Sequence, residues 1–307
     1  VSTSAEHLAR PDTTRLQGLG LLLLTACSWG INWPVAKFLL TELPPFSMRA
    51  ACCGVATALA FALARARGER LAVPLRMWPR LAVFATLNFG AFIVLTTMAL
   101  TRLHASEAVV VTYTLPIWAA VIAWPVLGER LTVVTILALV LGLSGVALLV
   151  GVDASDVSVA KLPGVGLALS AAVLFALGTV ISKQKPLALP PVAGVAWQLA
   201  LSLVPVAALA LTERPDWSAV TPLGWGGVLF SAAFPMTLAY LAWFRALRLL
   251  PAGTAATGVL ISPVVGVIGS ALLLGDPLGP RQVAALALTL MGVGLAAWRP
   301  DARRGRV

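Results

Sequence analysis

The chain has 307 residues, 59% of them hydrophobic and 11% charged, against roughly a quarter charged in a soluble domain; a water-soluble globule is excluded and a bilayer protein indicated. A net charge of +10 would suggest nucleic acid as the partner of a soluble protein, but most of these charges fall between apolar runs, so no nucleic-acid partner is expected. Cys27, Cys52, Cys53, His7 and His104 form neither an even disulfide framework nor a metal-ligand set, and no cofactor or metal is expected.

Apolar runs near the roughly 20 residues that span a bilayer recur at 16–39, 46–64, 80–100, 107–127, 132–150, 164–182, 190–211, 223–244, 253–274 and 281–298. The expectation is an all-α integral membrane protein of ten transmembrane helices. The first run is long, has no small-residue cleavage site and is followed by further spans, so it reads as retained rather than as a signal peptide. The longest connections, 65–79 and 151–163, are too short for a soluble domain. Alternating the connections between two sides gathers Arg10, Arg15, the group Arg65 to Arg80, Arg130, Lys183, Lys185, Arg245, Arg248 and the basic C-terminal residues on one side. Only Lys37, Arg49, Arg102, Lys161, Arg214 and Arg281 remain for the other. The positive-inside rule makes the first side cytoplasmic. Both termini then lie inside a multi-pass inner (plasma) membrane protein, with anionic lipid as a partner on that side.

The first span carries SWGINWPVAK at 28–37. Pro34 has no N–H and leaves the carbonyl of Gly30 without its helical partner. Trp29, Asn32, Trp33 and Ala36 share one helical face; Asn32 either lines a cavity or bonds a neighbouring helix. Lys37 either snorkels to the headgroups or acts at a gate, with Glu42 and Glu107 as candidate partners. Further along, Pro116, Pro235 and Pro263 free the carbonyls of Thr112, Ser231 and Val259, and with Pro34 they are candidate hinges, although membrane helices also carry proline without that role. In the ninth span Thr254, Gly258, Ser262, Gly266 and Ser270 recur every four residues as a ridge for close helix packing, with Ser262 beside a kink and thus also a candidate contact for substrate.

Trp78, Trp217, Trp225 and Trp298 fall near expected interfaces and read as belt residues. Trp29, Trp118 and Trp197 fall nearer the middle; with Tyr113, Phe175, Tyr240 and Trp243 they suit a flat or bulky apolar group. Asn32, Asn88, Thr114 and Gln198 suit its polar head. The partner implied is a small-molecule substrate. Each aromatic taken singly also has a plain packing role.

Shifted by 147 positions, the sequence pairs Trp78 with Trp225, Pro116 with Pro263, Gly128-Glu129 with Gly275-Asp276, and Gly145 with Gly292; shifted by 146, it pairs Trp29 with Phe175, Lys37 with Lys183, and Pro44-Pro45 with Pro190-Pro191. The halves are 1–150 and 160–307, each with five spans. Because five is odd, the second half enters the membrane in the opposite direction, and Lys37 and Lys183 then flank opposite gates. Such inverted repeats around a central cavity suit alternating access.

WGINWPVAK in the first span, GERLT after the fourth and GDPLG after the ninth resemble the drug/metabolite transporter superfamily, in particular its ten-helix EamA-type exporters. The resemblance covers nearly the whole chain. It implies inverted five-helix repeats around a central cavity and export of small metabolites, often amino acids; aromatic amino-acid exporters are among the members it resembles. The residues themselves offer no paired-acid motif, Ser/His/Asp set or phosphate-binding glycine loop, so a secondary transporter is expected rather than an enzyme. The alternatives are a proton-coupled drug/metabolite antiporter and, from another class, a membrane enzyme acting on lipid. No ionisable residue falls near the middle of a span: Lys37, Arg49, Glu107 and Arg245 lie towards helix ends and His104 in a connection. The expected coupling is therefore a downhill facilitator.

Overall fold

The computed structural model describes residues 12–128, 132–150, 156–250 and 258–297. They form ten helical runs, with no strand among the described residues. We number them α1 (Asp12–Leu39), α2 (Pro45–Ala66), α3 (a 3₁₀ turn Leu75–Met77, helix Trp78–Ala85, π turn Thr86–Gly90, helix Ala91–Leu100) and α4 (Ala105–Thr112 and Leu115–Leu127). There follow α5 (Val133–Val150), α6 (Asp156–Gln184), α7 (Pro191–Ala210), α8 (Pro222–Ala233, π turn Phe234–Leu238, Ala239–Leu249), α9 (Ile261–Leu274) and α10 (Pro280–Ala297). Seven are long and apolar enough to cross a membrane, and Val133–Leu149, Ile261–Leu274 and Pro280–Leu295 are shorter apolar helices.

Proline sets several of the starts, because the first turn of a helix has no use for its missing N–H. Pro45 and its repeat mate Pro191 open α2 and α7, and Pro222 opens α8. Glycine sets two ends: Gly128 and its mate Gly275 close α4 and α9 in the left-handed region, at φ of 71° and 68°, where a side chain would be strained. The sixth run begins earlier than its apolar stretch suggests, since α6 includes Lys161, whose charge is met by Glu107 at 2.6 Å. Of the ridge expected in the ninth span, Thr254 lies outside the described residues, as do most of GERLT, Trp298 and the basic C-terminal residues.

Contacts at the helix ends fix the direction of each run. Lys37 Nζ reaches the carbonyls of Leu100 and Leu103, Glu42 reaches Thr221, Asp276 reaches Ser106, and Arg281 reaches the carbonyl of Leu148. These junctions therefore gather at one end, called here the Lys37 end. At the other, the Glu69 end, Glu69 meets Ala193 and Gln184 meets the carbonyl of Val126. So α1 runs towards the Lys37 end and its mate α6 runs away from it: the repeats are inverted.

Packing follows the same pseudo-twofold relation. α2 packs on its mate α7 and α5 on its mate α10, while α1 lies against α8 and α9, and α6 against α3 and α4. The α5–α10 crossing is close because Gly145 and its mate Gly292 face backbone, the carbonyls of Ala285 and Ala138 lying 2.7 Å from where a Cβ would stand. Van der Waals contact of this kind drives helix association in lipid, where apolar burial contributes little between helices.

Candidate functional site

Two spans are broken at corresponding places. In α4 the helix gives way to a turn at Tyr113–Thr114 before resuming with Pro116 in the first turn of the second piece. Thr114 Oγ1 donates to the Val111 carbonyl at 2.7 Å and accepts from Trp118 Nε1 at 3.2 Å, so the hydroxyl bridges the break. In the ninth span a turn at Val259–Leu260 precedes α9, with Pro263 in the matching place. The Val259 carbonyl, expected to be left free, accepts from the Ser262 N–H at 2.9 Å: the tighter turn supplies the donor that Pro263 lacks.

Two further spans carry π turns, also at corresponding places. Asn88 lies in the one in α3, and its mate Pro235 in the one in α8. A π turn inserts an extra residue into the helical repeat and is a common mark of functional sites. α1, by contrast, runs through Pro34 without interruption. Gly266 and Gly269 of α9 explain this: a Cβ on Gly266 would sit 3.3 Å from the Gly30 carbonyl, and one on Gly269 3.4 Å from the Pro34 ring. The helix backbone of α9 thus covers the weak point in protein, as backbone at membrane depth requires.

An aromatic cluster joins the first π-wound region to the second. Trp29 Nε1 donates to the Pro235 carbonyl at 3.1 Å. Its ring lies 5.5 Å from that of Tyr240, edge-on, and 5.9 Å from that of Trp243, while Phe89 lies 5.1 Å from Tyr240. The buried Tyr113 hydroxyl faces Ser262 and Trp33. Phe175, the mate of Trp29, packs on Phe92 at 5.1 Å. Two buried amide oxygens, Asn32 Oδ1 and Asn88 Oδ1, have no hydrogen-bond partner, and Asn88 lies directly over Gly178, where any side chain would overlap it. Buried polar atoms are rarely left unpaired, and each such atom calls for an explanation.

Of the residues picked from sequence, Trp29, Tyr240 and Trp243 are brought together, Tyr113 meets Ser262, and Thr114 meets Trp118. Trp197 is not at this site. Its Nε1 donates to the Leu71 carbonyl at 2.8 Å, and its ring contacts Phe61 and Trp78, each at 5.1 Å; the α2–α3 connection folds over the start of α7 and takes it. Gln198 donates to the Gly194 carbonyl of its own helix at 3.1 Å. Lys37 pairs with neither candidate acid. It caps the last turn of α3, while Glu107 binds Lys161 and the His104 N–H, and Glu42 binds Thr221. Lys183 lies in the last turn of α6. Phe89, Phe92 and Trp33 lie outside the residues expected from sequence; Trp33 shares the marked face of α1, but the π turn that carries Phe89 has no signal in a 3.6-residue period.

Carboxylates clamp one repeat to the helix starts of the other. Glu69 accepts from Ala193 N–H at the start of α7; Glu213, from the equivalent connection, accepts from Phe46 and Ser47 at the start of α2. Asp276 accepts from Ser106 N–H and hydroxyl, each at 3.0 Å, at the start of α4, and Glu42 from Thr221 at the start of α8. Negative charge is favoured there by the unpaired N–H groups and the helix dipole. The glycine–acid motif gains a physical meaning: Gly275 turns the chain and Asp276 reaches across to the other repeat. Its mate Glu129 lies outside the described residues.

The same doubling is found when the chain is compared with known families, since residues 16–151 and 162–298 each match the EamA-like transporter family. The chain belongs to that family. It is thus a multi-pass membrane transporter of the drug/metabolite type. An "Uncharacterized transporter YvbV" of Bacillus subtilis (strain 168) is 28% identical over 291 residues, covering 92% of each chain. An "Uncharacterized transporter" of Archaeoglobus fulgidus is 26% identical over 281 residues, covering 89% of this chain and 96% of its own. A solved crystal structure, 21% identical, superposes with a TM-score of 0.64 over 92% of this chain and 96% of that one; this likeness is one of fold.

Proposed function

We propose that this EamA-family transporter exports small metabolites, foremost neutral and aromatic amino acids, by alternating access as a downhill facilitator of the inner membrane, with both termini and the Glu69 end cytoplasmic. The observation that carries the substrate reading is the cluster of Trp29, Phe89, Tyr240 and Trp243, with unpartnered Asn32 Oδ1 and Asn88 Oδ1 on two of the helices that supply it. Aromatic faces receive a ring or attract an ammonium group, and free amide oxygens accept its hydrogens. The clamps support the mechanism. The halves 1–150 and 160–307 act as two units, and each end of the bundle opens when its cross-repeat carboxylates let go of the helix starts they hold.

The test is flux from liposomes holding the purified protein. Phenylalanine or leucine should leave down its gradient, and lysine or glutamate should leave at least tenfold more slowly. Equal rates for all four, or no amino-acid flux at all, would overturn the substrate reading.

A further inference from the structure

Arg49, in the second turn of α2, is 4% exposed and lies on the helix that gives Met48, Cys52 and Cys53 to an apolar cluster. Its Nε donates to Thr97 Oγ1 at 2.6 Å. No carboxylate among the described residues pairs with it: at this end Glu42, Glu107, Glu213 and Asp276 are committed to Thr221, Lys161, Ser47 and Ser106. The final turn of α3 offers some negative potential, but Lys37 already holds the carbonyls of Leu100 and Leu103 there. A buried cation without a counter-charge is among the costliest arrangements in a protein.

The fold itself does not ask for it. The repeat mate of Arg49 is Val195, 3% exposed, and the mate of Ser231, which stands beside Cys52, is Phe84, 2% exposed. The same position in the other repeat is thus filled by plain apolar side chains. Ser231 Oγ is moreover buried without a partner. A buried guanidinium, bonded to one hydroxyl and paired with no carboxylate among the described residues, is thus present in only one of the two halves.

We infer that Arg49 anchors a carboxylate-binding subsite between α2 and α3, the missing counter-charge being the carboxylate of the transported molecule. Thr97 lies eight residues beyond Phe89 along α3, about 12 Å towards the Lys37 end at the helical rise. One amino acid does not span both places at once, so the subsite is a second station, reached after the aromatic cluster and before release. It rests on the export reading for its place in the path, but not for its chemistry.

Full-length wild type, Arg49→Met and Arg49→Lys, each in nanodiscs, are tested for binding of phenylalanine, phenylalaninamide and phenylacetate, with chloride as a plain anion, reading both Kd and thermal midpoint. Wild type should bind phenylalanine and phenylacetate at least tenfold more tightly than the amide. Arg49→Met should bring that ratio near one, and Arg49→Lys should keep part of it, because lysine lacks the planar fork. An unchanged ratio in either folded variant, no carboxylate preference in wild type, or stabilisation by chloride equal to that by phenylacetate would overturn the subsite. Arg49-dependent binding of phenylacetate without binding of phenylalanine would keep the subsite and defeat the amino-acid reading instead. Should Arg49→Met not fold, the Arg49→Lys ratio decides.

Discussion

Asp276, just after α9 in the second repeat, holds Ser106 at the start of α4 in the first, accepting from its backbone N–H and its hydroxyl at 3.0 Å each. His104 Nδ1 lies 3.2 Å from the other oxygen of the same carboxylate. One acidic side chain thus joins the two repeats at the Lys37 end, and the proposed opening by separation of the repeats would break this contact. Asp276→Ala should destabilise the closed end by about 1–2 kcal/mol, the usual cost of losing a helix cap. A cysteine placed at Ser106 in that background should react with a membrane-impermeant thiol reagent several-fold faster than in the parent. Equal reactivity would show that the clamp does not hold the end shut.

Glu69 and Glu213 provide a paired test, because they occupy equivalent connections and clamp opposite ends. Glu69→Gln should favour opening at the Glu69 end and Glu213→Gln at the Lys37 end, each shifting the balance of states by a factor of about 10–100 if one charged hydrogen bond is lost. Spin-label distances across each end would register opposite signs for the two variants. The same sign for both would mean that the carboxylates only stabilise the fold.

Much of this architecture is visible in the residues alone, because it depends on short-range rules. Pro116 and Pro263 mark the breaks, Gly128 and Gly275 the helix ends, and the repeat register pairs them. The aromatic residues Trp29, Tyr240 and Trp243 were also legible as a group. Their neighbour Phe89 was not, since a π turn changes which residues share a face and depends on tertiary packing. Trp197 makes its contacts elsewhere for a related reason: depth along α7 says nothing of the 67–74 connection, which folds back so that Leu71 takes its N–H. Lys37 shows the limit for charges. Opposite sign suggested Glu42 or Glu107, yet the nearest acceptors in space are two backbone carbonyls at the end of α3, which carry no mark in a sequence.

Trp29 supplies both ring faces and one N–H, and the two contributions separate by substitution. Trp29→Phe keeps a ring near Tyr240 and Trp243 but loses the bond to the Pro235 carbonyl in the π turn. The expected cost is about 1–2 kcal/mol, seen as a five- to thirty-fold rise in the Kd for phenylalanine if the π turn holds its shape only when bonded. Trp29→Leu should weaken aromatic substrates more than leucine. A Kd for both substrates unchanged in either variant would remove the cluster from the binding site.

Energy coupling is the last consequence. A proton-driven carrier generally uses an ionisable group in the membrane whose protonation changes with access. Glu42, Glu69, Glu107, Glu213 and Asp276 sit at helix starts or in connections and are held by N–H, hydroxyl or ammonium donors, Glu107 by Lys161 and Asp276 by Ser106. The groups in the aromatic cluster are rings, amides and backbone carbonyls, which keep one charge state through a cycle, and Arg49 remains a cation. A zwitterion carried past them moves no net charge. Phenylalanine flux in liposomes should therefore follow the substrate gradient alone, and a change of 100 mV in membrane potential should alter it less than twofold. An imposed pH gradient should not drive accumulation. Uphill accumulation that is lost in His104→Gln or Asp276→Asn would instead establish proton-coupled antiport through the His104–Asp276 pair.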